Sequence, residues 1–404
     1  MHKKLWNKDF ILMLQGGAFS AMGDILYSVA IGYWVYDQTG SSTLMGIMSS
    51  ISMFMVMFVM PFSGALIDKC DRKLVIVGMD ILRGLIMLAI GAMAFAQRLS
   101  AAAVLTAAFL ASGCSVFFSP AVNTLMLDII PRDDMVRGQA VQNSINTFLS
   151  LIGKAVSGAL VVFLGVPLVI VLNGISYLIS ALTELFITVP KTKALGQAVT
   201  WKGLATDFRT AIQEIMDNRF LRLFIPSALM LNLLGAGSLA LMLPFVLEKG
   251  FTVDMYGYLM SVETAASFLC VVMLGIVKFS KKARYILMSF GFLSSTVLYV
   301  AAYMSRSFAA LTVMMFLATF CNMLGNGVFN ASMMLALPED KRGALLGFIS
   351  AASTGGTALS SVAYGILCDV FPMQIVFVIG NLLSFPLMVY LCLHKHMKEF
   401  VLDH

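Results

Sequence analysis

The chain has 404 residues, of which 59% are hydrophobic and only 12% charged, with a net charge of +6 and a mean hydropathy of +0.90. A soluble globular protein carries roughly 25% charged residues, so this composition excludes a soluble domain. The basic excess sits in short clusters between apolar runs, which excludes a nucleic-acid surface, and six cysteines standing singly exclude a disulfide framework.

The apolar runs are roughly 18–25 residues long, enough to cross a hydrocarbon core of about 30 Å. Twelve are expected: 10–36, 43–67, 74–96, 101–128, 138–164, 167–189, 221–247, 255–277, 284–304, 308–336, 342–368 and 373–394. The first is too long and too continuous with the rest for a cleaved signal peptide. It carries a Gly-Asp pair at its centre. Asp24 lies about 21 Å from the inner start of the run at about 1.5 Å per residue. Between the second and third runs stands GALIDKCDRK. Its Asp68 sits at a helix end beside Arg72 and Lys73, where a carboxylate can dock on a neighbouring helix N-terminus. Asp80 and Arg83 follow at i,i+3, so they can pair on one face of the third run.

Arg137 and Glu184 are the nearest charges to Lys154, which lies in the middle of the fifth run about 22 Å in. An unpaired charge at that depth costs at least about 2.5–3.5 kcal/mol. Glu263, on the eighth run, reaches a similar level from the outside. Lys154 is therefore expected to be balanced by Asp24, by Glu263 or by both, either as a static bridge or as a pair that breaks on protonation or substrate binding. Asn143, Asn146, Ser150 and Lys154 make a polar stripe on the fifth run. Asn322, Asn326 and Asn330 make another at i, i+4, i+8 on the tenth. Such amides line a cavity or join helices. The 30 methionines and 30 phenylalanines are mostly packing and lipid-facing residues, and a minority at a cavity suit soft recognition of bulky apolar ligands.

The longest polar stretch, 190–218, reads as a linker. It divides the chain into an N-terminal six-helix bundle (1–189) and a C-terminal one (219–404). The halves echo each other: NTLMLDIIPRDDMVRG (123–138) parallels NASMMLALPEDKRG (330–343), each with an asparagine eight residues before a proline. Parallel repeats of this kind imply two bundles around a central site. On this map 22 of the 27 lysines and arginines share one side with both termini and the linker. The positive-inside rule places that side in the cytoplasm.

GALIDKCDRK resembles the loop signature G-x-x-x-D-[RK]-x-x-R-[RK] of the major facilitator superfamily, matched at Gly64, Asp68, Lys69, Arg72 and Lys73. With twelve spans, a six-plus-six repeat and a central linker, the resemblance covers nearly the whole chain. It implies an all-α membrane protein of twelve transmembrane helices in two six-helix bundles. It also implies that Gly64, Asp68, Arg72 and Lys73 form a conformational latch, Asp68 lying near the start of the eleventh span at 342–347. The N-terminal stretch NKDFILMLQGGAFSAMGDILYSVAIGYWVYDQTGSSTLMG is similar to the macrolide-efflux and enterobactin-exporter branch. That likeness implies a secondary transporter in the bacterial inner membrane, exporting an amphipathic, drug-like compound by proton antiport. A siderophore or lipid exporter of the same fold, and a non-transporting receptor or scaffold, are the alternatives. The implied proton-coupling residues are Asp24, Lys154 and Glu263, and the implied cavity residues are Asn143, Asn146, Asn322 and Asn326. In the span-five pattern G-x-x-x-G-P-x-x-G-G of the superfamily's drug antiporters, Lys154 stands at the proline position. The expected partners are a small-molecule substrate, protons and the bilayer, for a monomer without cofactor or metal. No phosphate-binding loop, H-E-x-x-H or G-x-S-x-G occurs and all four histidines are terminal, so an enzyme is not expected.

Overall fold

The computed structural model describes residues 5–67, 70–131, 134–188, 216, 219–277, 279–336, 342–395 and 397–398. The expected linker lies almost wholly outside the described residues. Among the described residues the protein is all-α, and eleven helices are long and apolar enough to cross a membrane.

In the N-terminal half the helices are α1 (Lys8–Thr39), α2 (Ser42–Ile67), α3 (Arg72–Phe95), α4 (Ala101–Ile129), α5 (Met135–Leu164) and α6 (Val166–Leu185). Their ends follow local chemistry. The Asn7 side chain accepts from the Phe10 N–H and starts α1, while Gly40, at φ 62°, stops it in a left-handed cap. Asp71 accepts from the N–H groups of Lys73 and Leu74 to open α3, and Ser100 caps α4 through Ala103.

The second half contains α7 (Arg219–Gly235), α8 (Gly237–Ala240), α9 (Met242–Glu248), α10 (Val253–Ile276), α11 (Lys281–Met304), α12 (Phe308–Ala336), α13 (Arg342–Val370) and α14 (Met373–Leu393). One expectation is corrected here: the seventh run, read as one helix over 221–247, is broken into α7, α8 and α9. A break inside a membrane frees backbone groups that must find other partners. Two side chains of α13 supply them. Ser360 donates to the Leu233 carbonyl at 2.7 Å and accepts from the Gly237 N–H at 2.8 Å. Tyr364 donates to the Leu234 carbonyl. An aromatic knot holds the displaced end, with Phe245 stacked on Phe377 at 4.8 Å and edge-on to Tyr303 at 5.5 Å.

The chain forms two compact units. The first comprises residues 1–40, 51–199 and 252–261. In it α1 packs on α5 and α6, and α3 packs on α4 and α6. The opening of α10 also belongs to this unit, where Ser261 donates to the Leu151 carbonyl of α5 at 3.1 Å. Glycine brings α3 and α6 together: a Cβ at Gly84 would stand 2.8 Å from Leu178 and 3.1 Å from the Gly174 carbonyl. The second unit comprises 41–50, 200–251 and 262–404. Its α7 packs on α13 and α14, and α11 packs on α12 and α14, around a core that includes Phe220, Met288 and Phe329. Large apolar side chains such as Phe163, Val162 and Ile276 point outward, as a lipid-facing surface requires.

Candidate functional site

The second unit contains a partly open cavity of about 410 Å³. Amides ring part of it. Asn322, Asn326 and Asn330 line it from α12, Asn232 from α7 and Asn381 from α14. The α12 amides are ordered by each other: Asn326 Nδ2 donates to the Asn322 side-chain oxygen at 2.9 Å and to its carbonyl at 3.0 Å. That arrangement leaves acceptor and donor capacity facing the cavity. Phe292, Phe329 and Met288 supply apolar walls. Tyr299 lines the same space, and the charge of Glu263 on α10 is felt there. The stripe read from the sequence on the tenth run thus borders a cavity with both polar and soft apolar walls.

The first unit holds a buried polar row that starts at Asp24. Gly23 lets α1 approach α6, since a Cβ there would collide with Asn173 and Ser176. Asp24 Oδ1 then accepts from the Tyr177 hydroxyl and, at 3.4 Å, from Asn173 Nδ2. The Arg83 guanidinium lies over the Tyr177 ring at 4.6 Å and over the Phe118 ring at 4.1 Å. Arg83 also pairs with Asp80, the i,i+3 partner expected from the sequence. Farther along α6, Ser180 donates to Glu184 at 3.4 Å.

Sequence reasoning missed the α6 side of this row. Asn173, Tyr177, Ser180 and Glu184 recur at i, i+4, i+7 and i+11, which puts them on one helix face. All four are at least 97% buried. The signal was present in the spacing, masked by an otherwise apolar run.

The other predicted residues fall as follows. Lys154 is half-buried on α5, and its backbone carbonyl accepts from Ser157 at 2.8 Å. It belongs to the first unit with Asp24, while Glu263 belongs to the second. Asn143 and Asn146 are exposed on α5. Gly64 lies within α2, and Asp68 lies outside the described residues. Arg72 opens α3 and forms an ion pair with Asp128 at the end of α4. Asp128, 56 residues away, was not foreseen as its partner. Among the described residues no cluster of His, Cys, Asp and Glu suits a metal ion.

Membrane-length helices with polar side chains buried between them and an amphipathic cavity are the parts that a membrane transporter requires. The family model of the Major Facilitator Superfamily matches residues 13–233 and 227–399, and the chain belongs to that superfamily. Among curated proteins it is 24% identical over 270 residues to the uncharacterized MFS-type transporter YkuC of Bacillus subtilis, covering 64% of this chain and 61% of that one. It is 23% identical over 211 residues to macrolide efflux protein A of Streptococcus pyogenes, covering 52% and 51%. The matches thus span between half and two thirds of these relatives. Among solved structures, a bacterial homologue of the iron transporter ferroportin in an inward-facing state aligns with a TM-score of 0.72 at 16% identity, over 95% of this chain and 98% of that one.

Proposed function

We propose that this protein exports an amphipathic organic compound across the bacterial inner membrane by antiport with protons. The carrying observation is the cavity of the second unit, where amides meet aromatic and methionine side chains. Such walls bind a bulky apolar body while fixing a few polar groups. Asn322 and Asn326 on α12 are the substrate contacts. Asp24, Lys154 and Glu263 carry the coupling, because charge buried at membrane depth must be paired or protonated as the substrate moves. Asp68, with Gly64, Arg72 and Lys73, serves as the latch. The protein works as a monomer without cofactor, with both termini in the cytoplasm. The similarity to a macrolide efflux protein supports the substrate class.

The test uses inside-out vesicles from cells expressing the full chain, an imposed inward-acid pH gradient and a radiolabelled macrolide. Accumulation is expected, and a protonophore should abolish it. Asn326→Ala should raise the substrate concentration needed for half-maximal uptake. Uptake that is absent for macrolides and for a panel of amphipathic cations, with intact protein in the membrane, would overturn the reading.

A further inference from the structure

The polar row of the first unit has more acid than base. Asp80 is fully buried, and Arg83 and Glu184 are 4% and 2% exposed. Arg83 spends one of its faces on Asp80 and rests the plane of its guanidinium on Phe118 and Tyr177. Glu184 has only the long Ser180 contact at 3.4 Å. Three buried polar atoms have no hydrogen-bond partner: Asp80 Oδ2, Glu184 Oε2 and Arg83 Nε. Glu184 is close enough to both Asp80 and Arg83 to feel their charges.

One guanidinium neutralises one carboxylate. With Asp80 and Glu184 both ionised, this water-poor site would hold one uncompensated negative charge, which a low-dielectric interior does not tolerate. Adding one proton makes the trio neutral and turns an open acceptor into an O–H donor. Among the described residues, Arg83 is the cation that forms an ion pair in this site. From α1 the titratable groups are Asp24, which binds Tyr177, and Tyr27. From α4 there is Cys114, which feels Arg83 and Asp80. From α6 there is Tyr177. From α5, which packs on both α1 and α6, the embedded charge is Lys154.

We propose that Asp80, Arg83 and Glu184 form a proton-binding site between α3 and α6, in which one carboxyl group takes up and releases a proton. The site lies within one unit. The acid exchanges its proton with water through the row that ends at Asp24, whose surface is accessible. The inference rests on the proton-antiport reading above and adds a proton-holding site to the coupling residues named there, and it is testable without any substrate.

The experiment is infrared difference spectroscopy of the purified full-length protein in lipid, titrated with pH. It reads the carbonyl stretch of a protonated carboxyl group and its shift in deuterated water. A titrating band is expected that disappears in both Glu184→Gln and Asp80→Asn, because either change leaves one carboxylate for one guanidinium. Ser180→Ala, which keeps every charge, should shift the midpoint of the remaining band, and it serves where a carboxyl variant unfolds. A wild-type spectrum with no titrating carboxyl band, or a band of equal intensity and midpoint in all three variants, would overturn the site. Loss of the band with no macrolide uptake would leave this site standing and remove the transport reading alone.

Discussion

Arg72 has a carboxylate beside it in sequence, yet it pairs with Asp128 on another helix. The reason is local. Asp71 spends its side chain on the Lys73 and Leu74 N–H groups at the start of α3, so it is occupied as a cap. Arg72 and Asp128 are 19% and 14% exposed at their side chains, which makes the bridge partly buried and therefore stronger than a surface pair. A double-mutant cycle on Arg72→Ala and Asp128→Ala, read by thermal unfolding, should return a coupling of about 0.5–3 kcal/mol. Strict additivity would mean that the two charges do not support each other. The residue scale also marks where sequence reading stops. Asp80 and Arg83 were legible because i,i+3 neighbours on a helix must meet. Asp128 stood inside the quoted repeat, but no spacing rule links it to a residue on another helix. Asp24 was legible as a charge at membrane depth, while its partners Tyr177 and Asn173 depend on which face α6 turns toward α1.

At the scale of elements, the start of α2 is held by a residue from the far end of α13. The Asp369 carboxylate accepts from the Ser42 and Thr43 N–H groups and, at 3.0 Å, from the Ser41 hydroxyl. Two of the four orphan N–H groups of α2 are thereby satisfied by a charge placed at the positive end of the helix. Burial pushes the Asp369 carboxyl up, but the hydrogen bonds from Thr43, Ser42 and Ser41 outweigh it, so its pKa lies below the ordinary value of 3.8. A carboxyl with a depressed folded pKa stabilises above its unfolded pKa, and that contribution fades as pH falls through the folded value. The protection factors of the Ser42 and Thr43 amides, which remove the pH dependence of intrinsic exchange, should therefore stay high at neutral pH and fall only in acid below about pH 4. Asp369→Asn should show the faster exchange already at neutral pH, and an unchanged exchange pattern would show that the carboxylate does not hold the helix. A second element contact concerns α3 and α6. Gly84→Val would force a branched side chain against Leu178 and the Gly174 carbonyl, costing about 1–3 kcal/mol by overpacking. A melting temperature equal to the parent's would mean that the two helices can part freely. Helix lengths and most boundaries were readable from apolar runs and caps. The break after α7 was not. LGAGSLA offers two glycines, but glycines are common in membrane helices. What allows the break is Ser360 and Tyr364, more than 120 residues away.

At the scale of the whole chain, the distribution of positive charge is the strongest single constraint. Of 27 lysines and arginines, only Arg98, Lys249 and Arg306 belong to the loops opposite the termini. Lys249 is held: its ammonium donates to the Ser305 carbonyl at 2.6 Å and lies 5.0 Å from the centre of the Phe245 ring. Burial lowers its pKa, with Glu248 opposing and Arg306 adding to the shift. A positive charge tied to a carbonyl and a ring offers little to the anionic inner surface. The clusters around Lys69–Lys73 and Lys278–Arg284 carry far more, and each basic residue near an anionic leaflet is worth about 1 kcal/mol. Twelve spans, as expected from the sequence, would put the two ends of the chain on one side, and the charge asymmetry would then place that side in the cytoplasm. A fluorescent protein fused after His404 should mature and fluoresce, whereas alkaline phosphatase at the same place should be inactive. Moving the phosphatase to the turn at Arg98, between α3 and α4, should make it active. Four lysines inserted beside Arg98 should lower the amount of correctly inserted protein, because they bring the outer side closer to the inner in charge. Phosphatase activity at the C-terminus would invert the whole map. It would put Asp369 and the start of α2 on the cytoplasmic face and Arg72 with Asp128 outside, and an exporter drawn on the present orientation would have to run the other way.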